Sequence, residues 1–324
     1  MKKPQISAEK LAVGYGIHGE AIVLRDIHVR INPGEFICFL GANGSGKSTL
    51  LRTLSGLQPP LAGEVILQGI PLQQYNIRTR SRKISVVLTD PVYGANLTVE
   101  QLVELGRYPY TQWNISMGQD DQAMIEKALS EVGIQDIRER PLGELSDGQR
   151  QRVVIARAIA QAADIMLLDE PLHYLDLKNK IDTLKMLRRL AHEQGKAILM
   201  TSHELELALQ LADRLWVIMP DATICEGVPE DLLLQGVLNE AFPADGYDIR
   251  TGKVRYKKGT EAVQVKGQGL QYEWTVKALL RKGYLVTAEP ASLGVDVGKD
   301  SWIISHRGKQ EEVNSIAAML TVLA

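Results

Sequence analysis

The most informative stretch of this 324-residue chain is nine residues long and reads Gly41-Ala42-Asn43-Gly44-Ser45-Gly46-Lys47-Ser48-Thr49. It fits the phosphate-loop pattern G-x-x-x-x-G-K-[ST] in full. Residues 35–40 before it form an apolar run typical of a strand, and residues 50–54 after it have helical spacing. The motif therefore lies at a strand-to-helix turn, where backbone N–H groups and the helix N-terminus favour a bound polyphosphate.

Each residue of this loop has an expected role toward ATP and Mg²⁺. Lys47 would reach the β- and γ-phosphates, and Ser48 would offer its hydroxyl to Mg²⁺. The other residues expected to contact the nucleotide are Gly41, Asn43, Gly44, Ser45, Gly46 and Thr49. The alternative is a glycine-rich turn that matches the pattern by chance, and the flanking strand and helix argue against it.

A second signal is the apolar run at residues 164–168, which ends in the adjacent carboxylates Asp169 and Glu170. Ligands bind at the carboxyl ends of the strands in a parallel sheet. Asp169 fits a partner of Mg²⁺, and Glu170 fits a base that polarises water for attack on the γ-phosphate. A solvated Asp-Glu pair that closes a strand is the alternative interpretation.

Composition narrows the class of protein. A chain of 324 residues exceeds what one hydrophobic core usually supports, so two or more domains are expected. The net charge of −2 gives no basic field, so no nucleic-acid partner is expected. Cys38 and Cys225 have no metal or disulfide spacing and are predicted to be small buried residues. Neither a signal peptide nor a membrane-spanning run is recognised, which indicates the cytoplasm.

A third segment, residues 145–152, reads L-S-D-G-Q-R-Q-R ahead of a helical run. Taken in order with the phosphate loop, the Asp169-Glu170 pair and His203, it resembles the ATP-binding cassette ATPases, whose signature reads L-S-G-G-Q. The resemblance covers roughly residues 6–230. It implies an α/β P-loop NTPase domain over residues 1–238, with a helical insertion at about residues 92–163.

The resemblance also implies a dimer. In this family the signature of one subunit closes over the γ-phosphate held by the other, and Ser146, Gly148 and Gln149 match that signature. Asp176 matches an aspartate at the subunit junction. The working unit is therefore expected to be a homodimer in the ATP-bound state.

Three further roles follow from the same resemblance. Tyr15 matches the aromatic residue that stacks on adenine, although a lone tyrosine in a strand is more often a core or edge residue. Glu170 matches the general base, and His203 matches the histidine that contacts the γ-phosphate. With Lys47, these two residues form the expected catalytic set.

Within the family, residues 105–110 read L-G-R-Y-P-Y and are similar to a segment of the importers for iron-siderophores, haem and vitamin B12. The segment lies in the helical insertion, where such ATPases dock their transmembrane permeases. An importer subunit bound peripherally at the cytoplasmic face of the membrane is therefore expected. The alternatives are a soluble ABC protein without a transport role, or a regulator that binds ATP with little turnover. For the segment itself, the alternative is a helix end broken by Pro109.

Three departures from the family pattern stand near the site. Thr89 replaces a glutamine that contacts Mg²⁺ and the attacking water, and Asp147 replaces the second glycine of the signature. Residues 172–175 read L-H-Y-L where Thr-Ser-Ala-Leu is usual. None of these changes removes the base or the lysine, so an active ATPase is expected.

The resemblance stops near residue 239. A linker is predicted over residues 239–258, followed by a small α+β domain over residues 259–324. Its predicted strands are residues 261–265, 284–287 and 301–305, and its predicted helices are residues 273–282 and 311–323. Trp274 has helical spacing with Ala278 and Leu279 and is predicted to lie in the core.

Overall fold

The computed structural model describes residues 3–16, 21–89, 97–111, 117–243, 247–248, 253–254, 261–306 and 308–323. The chain divides into two compact units, Met1–Pro243 and Ala244–Ala324. Each unit is described by itself below. Among the described residues, no helix combines the length and the apolar character needed to cross a membrane.

The first unit alternates strands and helices. Its strands are β1 (Ile6–Tyr15), β2 (Ala21–Ile31), β3 (Phe36–Leu40), β4 (Ala62–Leu67), β5 (Ile70–Pro71), β6 (Ile84–Val87), β7 (Ile165–Leu168), β8 (Ala197–Ser202), β9 (Arg214–Ile218) and β10 (Ile224–Gly227). Its helices are α1 (Lys47–Leu54), α2 (Ile77–Lys83), α3 (Val99–Glu104), α4 (Gln119–Val132), α5 (Asp147–Ala160), α6 (Leu177–Gln194), α7 (Leu205–Leu211), α8 (Pro229–Leu234) and α9 (Val237–Ala241). Short 3₁₀ turns cover Leu72–Gln74, Leu105–Arg107, Gln135–Ile137 and Leu142–Glu144.

The larger sheet of this unit has the strand order β10-β9-β3-β8-β7-β6. Strand β3 pairs in parallel with β8 and β9, and β7 pairs in parallel with β6 and β8. Every residue of β3, β7 and β8 is buried, as expected for a parallel sheet covered on both faces. Because these three strands are neighbours and run in the same direction, their carboxyl ends meet at one edge.

A smaller antiparallel sheet, β2-β1-β4-β5, packs on the larger one. One hydrophobic core joins the two sheets and includes Leu11, Leu24, Phe39, Leu167 and Trp216. The rings of Phe39 and Trp216 meet edge to face, with centroids 5.9 Å apart. This core fixes β3, and therefore the start of the phosphate loop, against both sheets.

The helical segment from α3 to α5 contains the L-G-R-Y-P-Y sequence. A Cβ added at Gly106 would lie 2.3 Å from the carbonyl oxygen of Arg157, so only glycine allows the chain to approach α5 this closely. Arg107 is buried beside it and donates from Nε to Asp121 at 2.8 Å and from Nη1 to the carbonyl of Ala160 at 2.8 Å. The helical structure ends at Arg107, just ahead of Pro109, and these contacts fix the segment against α4 and α5.

The second unit has its own sheet and core. Its strands are β11 (Tyr247–Asp248), β12 (Lys253–Val254), β13 (Ala262–Lys266), β14 (Leu285–Thr287), β15 (Leu293–Val297), β16 (Trp302–His306) and β17 (Lys309–Val313), and its helices are α10 (Leu270–Lys282) and α11 (Ile316–Val322). Five strands form a sheet in the order β14-β13-β15-β16-β17. Both helices pack on the face that carries Val263, Val295 and Trp302. The indole of Trp302 donates to Thr275 Oγ1 at 2.7 Å.

The structure corrects several predictions. The helix predicted over residues 311–323 is wrong at its start, because Glu311 and Glu312 pair with β16 and the helix begins at Ile316, capped by Ser315. Strand β15, which lies inside the sheet, was not predicted. Trp274 is 54% exposed and therefore lies outside the core. Cys38 is fully buried as predicted, whereas Cys225 is only partly buried.

The division between the units also differs in detail from the predicted boundary. Residue 238 falls inside α9, which belongs to the first unit, and that unit ends at Pro243. The short hairpin of β11 and β12 lies within the predicted linker. The basic residues 250, 255, 257 and 258 of that linker lie outside the described residues.

Candidate nucleotide-binding site

The phosphate loop connects the end of β3 to the start of α1. Gly44 and Gly46 have φ angles of 75° and 106°, in the left-handed region that glycine tolerates best. A Cβ on Gly46 would also lie 2.4 Å from Cγ1 of Val23. Gly46 caps α1 without a side chain, which leaves the N–H groups of the first turn available to an anion.

Lys47 and Ser45 carry the polar groups of this loop. The Lys47 side chain is only 4% exposed, and its Nζ donates to the carbonyls of Gly41 at 2.9 Å and Ala42 at 3.0 Å. Burial lowers the pKa of Lys47, and the charges of Glu170 and Asp169 act against that shift. Among the described residues, the buried Ser45 hydroxyl has no hydrogen-bond partner. An unsatisfied buried donor at this position fits a bound phosphate oxygen.

The acidic pair lies beside the loop, as its place at the end of β7 predicts. Asp169 is 2% exposed, and its Oδ1 accepts a hydrogen bond from Thr201 Oγ1 at 2.8 Å. The same Thr201 oxygen accepts the backbone N–H of Glu170 at 2.8 Å. Thr201 therefore positions both acidic residues, a role that the sequence analysis missed. The sequence signal for this role was the position of Thr201, two residues before His203, on the strand next to β7.

Two histidines flank the Glu170 carboxylate. Its Oε1 lies 2.5 Å from Nε2 of His203, and its Oε2 lies 3.7 Å from Nδ1 of His173. The backbone φ of Glu170 is +48°, a conformation that costs free energy in a residue with a side chain and is common at functional sites. His203 therefore reaches the residue that the sequence analysis interprets as the base.

Thr89 and Tyr15 contact the site through their hydroxyl groups. Thr89 Oγ1 donates to the carbonyl of Asp169 at 3.3 Å, which places it beside the acidic pair. The Tyr15 hydroxyl and Thr49 Oγ1 are 3.0 Å apart, while the Tyr15 ring is 54% exposed at the end of β1. The ring thus presents a face to solvent next to the phosphate-loop helix.

The signature residues form the start of α5. The Ser146 hydroxyl accepts from the N–H of Gln149 at 3.3 Å, and the Gln149 side chain accepts from the N–H of Ser146 at 3.1 Å. This reciprocal capping box sets the direction of the helix. Asp147 is exposed and pairs with Arg150 at 3.2 Å. A Cβ on Gly148 would lie 3.2 Å from the carbonyl of Tyr174, so the signature packs against the segment that follows Glu170.

Asp176 lies at the end of that segment and caps α6. Its Oδ1 accepts from the N–H of Asn179 at 2.8 Å. Among the described residues, no group of three or more His, Cys, Asp and Glu side chains could hold a metal ion. A cation held by Ser48 and Asp169 would therefore draw its remaining ligands from a nucleotide and water, which suits Mg²⁺.

Comparisons with known proteins identify this arrangement. The family model described as ABC transporter matches residues 24–173. An uncharacterised ABC transporter ATP-binding protein of Methanocaldococcus jannaschii is 37% identical over 73% of this chain and 81% of its own length. The chain belongs to the ABC transporter ATP-binding proteins. As an ABC ATPase it binds and hydrolyses ATP.

Relatives with more specific names align over similar lengths. The iron(3+)-hydroxamate import ATP-binding protein of Bacillus subtilis is 35% identical, covering 76% of this chain and 92% of that protein. The cobalamin import ATP-binding protein of Halobacterium salinarum is 35% identical, covering 84% of this chain and 71% of that protein. A second family model, described as iron ABC transporter C-terminal domain, matches residues 260–324.

Solved structures show the same cassette. The dimeric cassette MJ0796, in a post-hydrolysis state bound to ADP and Pi, has a TM-score of 0.62 and 27% identity, covering 69% of this chain and 98% of that one. The structure of cbiO1 from Clostridium perfringens, part of the ABC transporter complex cbiONQ, has a TM-score of 0.62 and 26% identity, covering 75% of this chain and 97% of that one. The α/β P-loop fold predicted from the motifs is confirmed.

Proposed function

We propose that this ABC ATPase powers a membrane importer for an iron-siderophore, haem or cobalamin. The observation that carries the import assignment is the second unit, because residues 260–324 match the iron ABC transporter C-terminal domain. The names of the iron-hydroxamate and cobalamin import relatives support the same substrate class. The protein would act at the cytoplasmic face of the membrane, attached through transmembrane permease subunits.

In the proposed mechanism, ATP lies with its phosphates in the loop of residues 41–49. Lys47 and the first-turn N–H groups of α1 bind the β- and γ-phosphates, and Ser45 donates its hydroxyl to them. Ser48 and Asp169 would hold Mg²⁺, which neutralises phosphate charge when it is bound. Thr89 takes the place beside Asp169 where the family has glutamine. The Tyr15 ring stacks on the adenine ring of ATP.

Glu170 is the proposed general base. Its carboxylate accepts the proton of the water that attacks the γ-phosphate, and Thr201 orients its backbone through the 2.8 Å contact with the N–H group. His203 lies against Oε1 of Glu170 in this structure and is the residue proposed to turn to the γ-phosphate when ATP is bound. Together these contacts place the base at the end of β7 with a defined direction.

The active form is proposed to be a homodimer in the ATP-bound state. Ser146, Gly148 and Gln149 at the start of α5 would close over the phosphates held by the second protomer. The capping box orders the first turn of that helix, where Ser146 and Asp147 are exposed, and Asp147 pairs with Arg150. The repulsion expected between this carboxylate and a triphosphate is thereby reduced.

The permease is proposed to dock at the L-G-R-Y-P-Y segment. Arg78 and Arg82 donate to the carbonyl of Pro109 at 3.1 and 2.8 Å, which holds the backbone of the segment in place. Tyr108 and Ile77 expose their side chains on this surface. An exposed aromatic side chain on a rigid backbone is typical of a protein interface.

Replacing Glu170 with glutamine tests the proposed chemistry. Glu170→Gln keeps the shape of the side chain and removes its basicity, so ATP binding should persist while turnover falls by at least ~10²-fold. ATP should then trap a dimer, measured by size-exclusion chromatography. Glu9→Gln, an exposed change on β1, is the matched control and should leave turnover unaltered. Near-normal turnover in Glu170→Gln would show that another group activates the water.

A cellular assay tests the import assignment. Cells that lack the encoding gene should lose uptake of one chelate among ferric siderophores, haem and cobalamin. The wild-type gene should restore that uptake, and the Glu170→Gln gene should not. Normal uptake of all three chelates in the deletion strain would contradict the proposal.

A further inference from the structure

A tight turn brings the residue at position 173 back toward the proposed base. The chain reads Glu170-Pro171-Leu172-His173, and the N–H of His173 donates to the carbonyl of Glu170 at 3.2 Å. Proline in the second position is typical of such a turn because its φ is already set. The side chains of Glu170 and His173 therefore lie on the same side of the turn.

The two oxygens of the Glu170 carboxylate face two different imidazoles. His203 Nε2 lies 2.5 Å from Oε1, and His173 Nδ1 lies 3.7 Å from Oε2. The second distance is longer than a hydrogen bond, so His173 lies beside Oε2 without donating to it in this structure. The ring of Tyr174 meets the His173 ring edge to face at 4.7 Å, and both side chains are about half exposed.

His173 departs from the segment Thr-Ser-Ala-Leu that the family resemblance predicts at residues 172–175. The family resemblance predicts serine at position 173, and a hydroxyl on Cβ is too short to follow the same path to Oε2. The Glu170 side chain is 20% exposed, so a charged or hydrogen-bonded neighbour acts on it with less screening than at the open surface. The structure therefore places an imidazole beside the second oxygen of the proposed base.

We infer that His173 is a positioning residue for Glu170, an inference that rests on the proposed role of Glu170 as the base. His203 is required at the γ-phosphate, and its Nε2 cannot donate to the phosphate and to Oε1 at the same time. When His203 turns to the phosphate, a side-chain rotation brings His173 Nδ1 from 3.7 Å to hydrogen-bond distance of Oε2. Oε1 is then free to accept the proton of the attacking water while the carboxylate stays in place.

Three substitutions at position 173 separate positioning from a general structural role. His173→Ala should lower the kcat for ATP hydrolysis by about threefold to tenfold, the effect of one modest polar contact, with KM for ATP changed less than about twofold. His173→Asn places an amide N–H near the position of Nδ1 and should recover most of kcat. His173→Gln places its amide one bond further away, near the position of Nε2, and should not recover it.

The Glu170→Gln background shows whether His173 acts through Glu170. In that background His173→Ala should cause no further loss in the residual single-turnover rate, because the base is already gone. The matched control is His28→Ala, which removes an exposed histidine that pairs with Asp26 at 3.1 Å outside the site and should leave kcat unchanged.

The outcomes distinguish this inference from the proposed function. Normal kcat in His173→Ala, with turnover still lost in Glu170→Gln, would overturn the inference and leave the function intact. An equal loss for the Ala, Asn and Gln variants, or a further loss in the Glu170→Gln background, would also overturn it. Near-normal turnover in Glu170→Gln would overturn the assignment of the base, and with it the inference.

Discussion

Lys47 is buried in the phosphate loop, where the proposed site requires positive charge. Burial lowers its pKa, while the carboxylates of Glu170 and Asp169 act in the opposite direction. Its Nζ is also satisfied by the carbonyls of Gly41 and Ala42, so the side chain is held within the loop that it serves. Lys47 thus fixes the shape of the loop through these two contacts, and under the proposed function it also supplies charge to the phosphates.

Lys47→Ala should therefore abolish ATP binding at working concentrations, because it removes charge stabilisation and leaves two loop carbonyls without this donor. Binding of a fluorescent ATP analogue measures the effect. Lys196→Ala is the matched control, since Lys196 is partly buried, has a pKa lowered by burial and donates to the carbonyl of Ala163 at 2.6 Å. It should keep ATP binding. Tight binding by Lys47→Ala would count against the proposed role of the loop.

At the scale of elements, ion pairs hold the helical segment together. Arg107 joins Asp121 of α4 to the carbonyl end of α5, and Arg138 contacts Glu100 of α3 and Glu126 of α4. The hydrogen bonds from these arginines lower the pKa values of Asp121 and Glu100. A group whose pKa is lower in the folded state stabilises the fold above its unfolded pKa, and this contribution is lost as the pH falls.

Asp121→Asn should lower the free energy of unfolding by about 1–3 kcal/mol at pH 7, because a buried charged hydrogen bond becomes a neutral one. The ordinary pKa of the carboxyl is 3.8, so the difference from wild type should be constant at higher pH and shrink below about pH 4. Urea unfolding across this pH range measures it. Asp136→Asn, at an exposed aspartate in a nearby turn, is the control. A difference that does not change with pH would indicate a steric cause.

Some helices and strands differ from what the sequence patterns predict. Glu311 and Glu312 are good helix formers, and the sequence analysis placed them in a helix, yet they form the edge strand β17 beside β16. Backbone pairing with a neighbouring strand outweighed local propensity there. Trp274 was predicted to lie in the core but is 54% exposed, whereas Trp302 of β16 is buried. Helical spacing marks which residues share a face but does not say which face the sheet covers.

At the scale of the whole molecule, the two units have separate hydrophobic cores. The core of the first unit lies between its two sheets, and the core of the second lies between its sheet and helices α10 and α11. The candidate site residues all lie before Pro243. Folding and ATP binding by the first unit should therefore not depend on the second.

A chain truncated after Pro243 should fold and bind ATP with unchanged affinity, measured by calorimetry. Sedimentation with ATP in the Glu170→Gln background then reports on the second unit. Weaker dimerisation would show that this unit pairs with its copy and raises the effective concentration of the two cassettes. Unchanged dimerisation would point to another role. If the truncated chain with native Glu170 then hydrolyses ATP faster than the full chain, the second unit restrains the cassettes. Loss of ATP binding in a folded truncated chain would contradict the independence of the units.

The sequence by itself determined the cassette, because its motifs require particular residues at close spacing. Glycines for a tight loop, a lysine for phosphate and carboxylates after a buried strand can be recognised without coordinates. Only the tertiary structure decided which residues support them. Thr201 bridges Asp169 and Glu170 because β8 pairs in parallel with β7. His173 lies beside the second oxygen of Glu170 because a tight turn brings it back toward that residue. Such contacts depend on strand order and side-chain direction, which local spacing does not encode.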